Sequence, residues 1–113
     1  MTMGDVVWVE FPTGAGRAQA GRRPGIVFQT SALSGAKLPT VLVVPLTTQQ
    51  AALRFPGTVL ISPETSNGLR QPSVALVFQL TAVDLNSVDA PAGKISPAAI
   101  SNLMLALDEL LDR

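Results

Sequence analysis

Three arginines stand within seven residues near the end of the segment from Gly14 to Pro24, and the segment contains no acidic residue. Guanidinium groups are permanently charged and fork-shaped, which suits them to binding phosphate oxygens. The glycine spacing matches neither of the common nucleotide-binding loops, and a strand rather than a helix follows the segment, so a nucleotide loop is excluded. Arg17 and Arg22 have an alternative interpretation as solvated loop charges.

Arg23 differs from the other two because Pro24 follows it. A residue before proline is held extended, so we expect Arg23 to be presented at the mouth of a strand. A second polar cluster, Thr47 to Gln50, closes an apolar strand and would lie beside the arginines if the two strands pair. Threonines at strand ends are also common turn or ladder residues, so this cluster indicates chemistry only in combination with Arg23.

The composition of the chain narrows the chemistry that these residues can perform. The 113 residues include no cysteine and no histidine, which excludes disulfides, thiol nucleophiles, sulfur-ligated metal sites and a Ser-His-Asp triad. Carboxylates, arginines, lysines, hydroxyls and amides remain. A chain of this length has room for one compact domain, which we place at residues 1–113.

The charges balance overall, with eight basic and eight acidic side chains, but they are distributed unevenly. Residues 1–57 carry five basic and two acidic side chains, a net charge of +3, and residues 58–113 carry three and six. Charged residues make up only 14% of the chain and hydrophobic ones 47%, which predicts an apolar surface that a second copy or a partner covers. No segment has the pattern of a signal peptide or membrane span, so we expect a cytoplasmic protein without membrane association.

The hydrophobic pattern predicts a mostly β fold that ends in one helix. Residues 6–11 alternate, with Val7, Val9 and Phe11 on one face and Trp8 on the other. Four more short strands are predicted at residues 25–29, 40–46, 58–62 and 73–80, separated by proline- and glycine-containing turns. This number and spacing of strands favours a small barrel or sandwich.

The last part of the chain changes to a helical period. Ser96 and Pro97 form an N-cap and first-turn pair, and apolar residues then recur at steps of three and four. We expect one amphipathic helix of about four turns, packed on the sheet or over the open end of a barrel, with no role in the chemistry.

These landmarks together resemble the MazF/PemK family of bacterial toxins, over nearly the whole chain. The residues that carry the resemblance are Gly4-Asp5-Val6-Val7-Trp8-Val9, Gly21-Arg22-Arg23-Pro24 with Ile26-Val27, Val44-Pro45-Leu46-Thr47-Thr48, Arg54-Phe55-Pro56, Ser73-Val74-Ala75-Leu76, Gln79-Leu80 and Val83-Asp84. Each motif is short, and it is their order along the chain, together with the terminal helix, that makes the resemblance specific.

The resemblance implies an SH3-like small barrel that forms a homodimer. It also implies an endoribonuclease that cleaves single-stranded RNA without a metal or another cofactor, and that a cognate antitoxin with an acidic, extended tail neutralises. The family's arginine carries over to Arg23 and its threonine to Thr47, as catalytic residues. The RNA-binding candidates are Arg17, Gln19, Arg22, Thr48, Gln49, Arg54, Phe55 and Gln79.

Two departures from the family pattern leave a second interpretation open. An acidic residue common in the first loop is replaced by Ala18, and a late glutamate and arginine are replaced by Phe78 and Thr81. These changes could weaken catalysis, alter the RNA sequence that is cut, or be compensated by the extra arginines. The alternative is a non-catalytic protein, either CcdB-like and binding gyrase or a degenerate relative that retains antitoxin binding. Of the five large aromatic residues we expect most in the core, with Phe55 the exposed one.

Overall fold

The mostly β fold with one C-terminal helix is confirmed in a computed structural model, which describes residues 1–11, 21–33 and 37–113. Within these ranges seven antiparallel strands precede the helix, where the hydrophobic pattern predicted five. The strands are β1 (Asp5–Phe11), β2 (Gly21–Val27), β3 (Thr40–Thr47), β4 (Thr58–Ile61), β5 (Ser73–Leu76), β6 (Thr81–Asp84) and β7 (Gly93–Lys94), and the helix is α1 (Pro97–Leu110).

Four of the strands form a small barrel. Strand β1 pairs with β2, β2 with β3, and β3 with β6, all antiparallel. Immediately after β6 the chain turns through residues 85–87 and returns to β1, where Val88 forms a bridge with Val9. The backbone N–H of Asp89 then donates to the carbonyl of Trp8 at 3.0 Å, which continues the contact. The segment after β6 therefore returns to β1, and the strands form the small, partly closed barrel of the SH3-like prediction.

The alternation of β1 divides its side chains between two cores. Val7, Val9 and Phe11 point into the barrel, where the valines of β2, β3 and β6 meet them. Val6 points to the opposite face, into a larger cluster that β3, β4, β5 and α1 also line. Since burial of an aliphatic side chain stabilises the fold by roughly 1.5–3 kcal/mol, both faces of the central strands contribute to stability.

The helix begins and packs as the sequence indicates. The Ser96 hydroxyl accepts a hydrogen bond from the Ala99 backbone N–H at 3.1 Å, and Pro97 occupies the first turn, where its missing N–H costs nothing. Over 14 residues α1 buries Leu103 and Ala106 against the larger core. The predicted helix that covers the sheet is confirmed.

Two predicted strands differ from the observed ones. The strand expected at residues 25–29 is β2, which starts earlier and runs through Pro24. A proline fits there because the ladder with β3 ends at Gly25, so no β3 carbonyl requires a donor from residue 24. The strand expected at 73–80 ends at Leu76, and a 3-10 turn at Val77–Gln79 separates it from β6, a strand that the hydrophobic pattern did not predict.

The 3-10 turn lies between β5 and β6, which pair with the same strand, β3, in registers three residues apart. A three-residue turn is too short for hydrophobic periodicity to reveal, which explains the error. The helices among the described residues include none long and apolar enough to span a membrane.

Candidate functional site

Arg23 and Thr47 lie where strands β2 and β3 separate. The β2–β3 ladder runs from Val27 paired with Val43 to Gly25 paired with Pro45 and ends there. Beyond that point β2 stays paired with β1, and β3 pairs with β5. We call this opening the β2–β3 split. Continued two residues further, the same register would place Arg23 opposite Thr47, and by alternation both belong to the face that carries Val27 and Val43.

Thr47 is held in place by its own turn. Its side chain is only 8% exposed, and its hydroxyl oxygen accepts a hydrogen bond from the Gln49 backbone N–H at 3.2 Å. The Gln50 amide donates to the carbonyls of Thr48 and Pro72, at 3.3 and 3.0 Å, which ties the end of β3 to the segment before β5. The hydroxyl is therefore fixed, whereas Thr48 and Gln49 are exposed beside it.

Arg22 and Arg23 belong to strand β2 and not to a loop, which corrects the interpretation of Arg22 as a solvated loop charge. Arg22 forms an ion pair with Asp89, and its guanidinium carbon lies 5.5 Å from the ring centroid of Trp8. Successive strand residues point to opposite faces, so Arg22 and Arg23 direct their charges to the two sides of the sheet. Both are exposed.

A second cluster gathers three of the remaining RNA-binding candidates. Arg54 ends a 3-10 turn at Gln50–Arg54, and its guanidinium carbon lies 4.8 Å from the ring centroid of Phe55. Phe55 in turn meets Phe78 edge to face, with 5.8 Å between the ring centroids. Gln79 is half-buried and follows Phe78 in the 3-10 turn that interrupts the barrel strand. The turn after Thr47 thus leads directly from the split to this cluster.

The remaining candidates, Arg17 and Gln19, lie outside the described residues. The prediction that most aromatic residues are buried is wrong. Phe11 and Phe28 are in the cores, but Trp8, Phe55 and Phe78 are each 41% exposed. The exposure of Phe55 is confirmed, and that of Trp8 was missed. The sequence signal for this exposure is Glu10, which lies on the same face of β1 as Trp8. That face changes from apolar to charged along the strand, so Trp8 stands at its border with solvent.

Among the described residues, Asp5, which opens β1, has a carboxyl whose pKa departs from its ordinary value. Burial raises the pKa of this carboxyl, but the Thr2 backbone N–H at 2.8 Å and the Lys94 ammonium at 3.2 Å outweigh that effect. The pKa of Asp5 is therefore lowered below its ordinary value of 3.8. This network anchors the N-terminus far from the split along β1. Within the described ranges, no three His, Cys, Asp or Glu side chains cluster in a way that could hold a metal ion.

The structure is therefore a small barrel that carries the Arg23 guanidinium and the fixed Thr47 hydroxyl at a strand split. A family model described as the PemK-like, MazF-like toxin of type II toxin-antitoxin systems matches residues 2–111. The chain belongs to this family.

The relatives are distant in sequence and similar in fold. Endoribonuclease toxin MazF of Escherichia coli K12 is 29% identical over 110 residues, covering 96% of this chain and 92% of its own. Endoribonuclease MazF6 of Mycobacterium tuberculosis is 24% identical over 108 residues, covering 96% and 94%. The crystal structure of MazF from Deinococcus radiodurans superposes with a TM-score of 0.81 at 23% identity, covering 100% and 97%. A mycobacterial endoribonuclease in complex with its cognate antitoxin superposes with a TM-score of 0.75 at 18% identity, covering 99% and 95%.

Proposed function

We propose that this protein is a sequence-selective endoribonuclease toxin that cleaves single-stranded RNA without a metal ion, in the cytoplasm. The observation that supports the proposal is that the β2–β3 ladder ends at Gly25 and Pro45, two residues before Arg23 on one strand and Thr47 on the other. Relatives named endoribonucleases over nearly the full length of the chain support the same activity. The burial of Thr47 and the hydrogen bond from the Gln49 N–H fix one of the two groups, and fixed polar groups are what stabilisation of a transition state requires.

In the proposed reaction the ribose 2′-oxygen attacks the adjacent phosphorus. The 2′-hydroxyl gives up its proton as it attacks, the bond from phosphorus to the 5′-oxygen breaks, and the 5′-oxygen takes up a proton. The products are a 2′,3′-cyclic phosphate and a 5′-hydroxyl end, with no net change in protons. Negative charge gathers on the phosphoryl oxygens in the transition state. Arg23 would donate two parallel hydrogen bonds to those oxygens, and the Thr47 hydroxyl would donate a third.

The cationic and polar residues around the split would hold the RNA on both sides of the scissile phosphate. Arg22, Thr48 and Gln49 lie beside the split, and Arg54, Phe55 and Gln79 form the cluster that follows it along the chain. Arg17 and Gln19 complete the proposed set. Guanidinium groups would bind the backbone, and the exposed aromatic ring would stack on a base.

An antitoxin with an acidic, extended tail is the proposed inhibitor. The net charge of +3 on residues 1–57 favours such a partner, because the arginines at the split belong to that half. Solved structures of similar fold include an endoribonuclease bound to its cognate antitoxin. The tail would cover the arginines and compete with RNA for the same charges.

The protein is also proposed to be a homodimer. Large apolar side chains are exposed on β4 and α1, including Leu60 at 47% and Leu105 at 66%, which a second copy would cover. Sedimentation at micromolar concentration is expected to give about twice the chain mass of 11.8 kDa. A species that stays at the mass of one chain over that range would contradict the dimer.

The catalytic assignment is tested by incubating the protein with a long single-stranded RNA in EDTA and mapping the product ends. We expect cleavage at few sites, 5′-hydroxyl ends, and a loss of about 10²-fold or more in rate for Arg23→Ala and for Thr47→Ala. Arg113→Ala and Thr40→Ala are matched controls, since the first replaces an exposed arginine at the C-terminus and the second a threonine at the other end of β3.

Two outcomes would contradict the assignment. Cleavage that persists in both variants would remove Arg23 and Thr47 from the mechanism. RNA that stays intact with the unaltered protein over many sequences would favour the non-catalytic alternative, which gyrase binding would then test.

A further inference from the structure

A groove of about 440 Å³ opens on the face of the sheet opposite to the Arg23 side chain. Strands β1 and β2 form one wall, and the segment that leads into β5 forms the other. The residues that line it include Trp8, Pro24, Thr48, Arg70, Gln71 and Ser73. A cavity of this volume is at the lower end of the range for small-ligand sites and has room for a nucleobase with its sugar.

Trp8 supplies the flat apolar surface of this groove. Val6, two residues earlier on the same face, is 1% exposed in the larger core, whereas Trp8 is 41% exposed. The indole therefore lies where the apolar face of β1 ends and solvent begins. Indole rings that are partly exposed in a groove are the surfaces on which single-stranded nucleic acids stack their bases.

Arg22 adds a second flat group to the same place. Its guanidinium carbon lies 5.5 Å from the centroid of the Trp8 ring, and its ion pair with Asp89 holds it there. The Asp89 backbone N–H also donates to the Trp8 carbonyl, so the backbone of Asp89 is anchored to the residue that carries the ring. Bases stack on guanidinium planes as well as on aromatic rings, and the positive charge favours a phosphate nearby.

The opposite wall is held by a buried asparagine. Asn67 is 2% exposed, its side-chain oxygen accepts from the N–H groups of Glu64 and Leu69 at 3.0 Å, and its amide donates to the Ser62 carbonyl at 2.9 Å. A side chain at Gly68 would meet the Ala92 carbonyl oxygen at 2.7 Å, so the backbone there is tightly packed. The wall that carries Arg70 is therefore preformed.

The groove and the proposed catalytic pair lie at the same end of strands β2 and β3, on opposite faces of the sheet. Pro24 and Thr48 line the groove, and each directly follows a catalytic residue, Arg23 or Thr47, whose side chain points to the other face. The β2–β3 split is the opening between the two faces, because no ladder joins these strands beyond Gly25. We infer that the groove is a nucleobase subsite in which a base of the single-stranded RNA that passes over the split stacks on Trp8, with Asp89 as the residue that positions Arg22. This inference rests on the proposed function.

Trp8 is the only tryptophan in the chain, so its fluorescence reports on the groove directly. The probe is a decamer of 2′-O-methyl RNA with randomised sequence, which has bases but no 2′-hydroxyl to attack phosphorus. We expect saturable quenching of Trp8 by this probe. An abasic oligonucleotide of the same length and charge is the matched control, and equal affinity and quenching with it would overturn the inference.

The variant test measures affinity by the anisotropy of the labelled probe. Trp8→Ala is expected to weaken binding by about 5- to 150-fold, the range for loss of one stacked base, and Trp8→Phe to restore most of the affinity. Leu33→Ala removes another apolar side chain that is 41% exposed, away from the groove, and should bind as the unaltered protein does. Unchanged affinity in Trp8→Ala would overturn the inference.

The positioning role of Asp89 has its own readout. Asp89→Asn breaks the ion pair and should shift the emission of Trp8 in the free protein, since Arg22 then leaves the ring, and should weaken probe binding by less than Trp8→Ala does. An unchanged emission spectrum would contradict this role.

The RNA cleavage assay separates the two proposals. If the unaltered protein cleaves RNA and Trp8→Ala cleaves and binds equally well, the subsite is wrong and the proposed function stands. If the protein does not cleave RNA but base-dependent quenching is seen, the groove binds a base and the proposed endoribonuclease function is wrong.

Discussion

The two halves of strand β2 have the same partner on one side and different environments on the other. Gly25 and Ile26 pair with both β1 and β3, Val27 pairs with β3, and all three are buried, while Arg22 and Arg23 pair only with β1 and are exposed. A strand with two neighbours and covered faces excludes water, which suits apolar residues. Where the β3 ladder ends, a charged side chain keeps its hydration. The end of one ladder therefore separates the core from the site.

The buried half tolerates no additional volume. A side chain at Gly25 would place its first carbon 2.4 Å from a methyl group of Val43, closer than packed atoms approach. The exposed half meets no such limit. Substitutions in the buried half of β2 should therefore change stability, and substitutions in the exposed half should change activity.

The largest expected effect is on the buried side. Ile26 is 0% exposed, so Ile26→Ala should lower the free energy of unfolding by about 2–5 kcal/mol, and Ile26→Val by about 0.5–1.5 kcal/mol. Urea unfolding followed by circular dichroism measures both. A loss under about 1 kcal/mol for the alanine variant would show that this half is not part of the core that holds the fold.

A somewhat smaller effect is expected on the exposed side, and on rate instead of stability. Arg23→Ala should lower cleavage by about 10²- to 10³-fold and leave the free energy of unfolding within about 0.5 kcal/mol. Arg23→Lys keeps the charge but loses the fork, so it should restore only part of the rate. Kinetics and urea unfolding of the same preparations separate the two effects. A large loss of stability in Arg23→Ala would remove the contrast between the halves of β2.

The smallest expected effect is on the pH dependence of stability and concerns Asp5, the carboxylate at the start of β1. Asp5 has a lowered pKa in the folded state, so it binds a proton less readily there than in the unfolded chain. Its contribution to stability is therefore fully present above its ordinary pKa of 3.8 and is lost as the pH falls through the lower, folded value.

Asp5→Asn should lower stability by about 1–3 kcal/mol at neutral pH and remove part of the acid sensitivity. Urea unfolding of both proteins between pH 7 and pH 3 measures the difference, with Asp112→Asn as a control at an exposed carboxyl near the C-terminus. If the two stability curves stay parallel as the pH falls, Asp5 is not stabilised by Thr2 and Lys94 in the way the geometry indicates.

The parts of the fold that follow from local pattern were predicted correctly. The faces of β1 follow from alternation, and the start of α1 follows from Ser96 and Pro97, because each pattern depends on residues within a few positions of one another. The division of the 73–80 segment into β5, a 3-10 turn and β6 was missed, because it depends on how both strands pair with β3.

The site also combines features that follow from local sequence with features that depend on strand pairing. The residue types pointed to the arginines as groups suited to a phosphate, and Pro24 indicated that Arg23 is held extended, whereas Thr47 was selected through the family resemblance. Their position across one split depends on the register of β2 against β3, which pairs residues about twenty positions apart in the chain. The groove beside Trp8 depends on still more distant segments. Asp89 reaches β1 through the bridge between Val9 and Val88, and Arg70 lies across the groove from Trp8, in the segment that leads into β5.

By itself the sequence determined the composition of the site, the strand alternation, the terminal helix and the chemistry that a chain without cysteine or histidine can perform. Only the tertiary structure decided which charges face each other and where Trp8 is exposed. The physical reason is that periodicity and capping act over a single turn or strand, whereas register and ladder ends result from the packing of all the strands together.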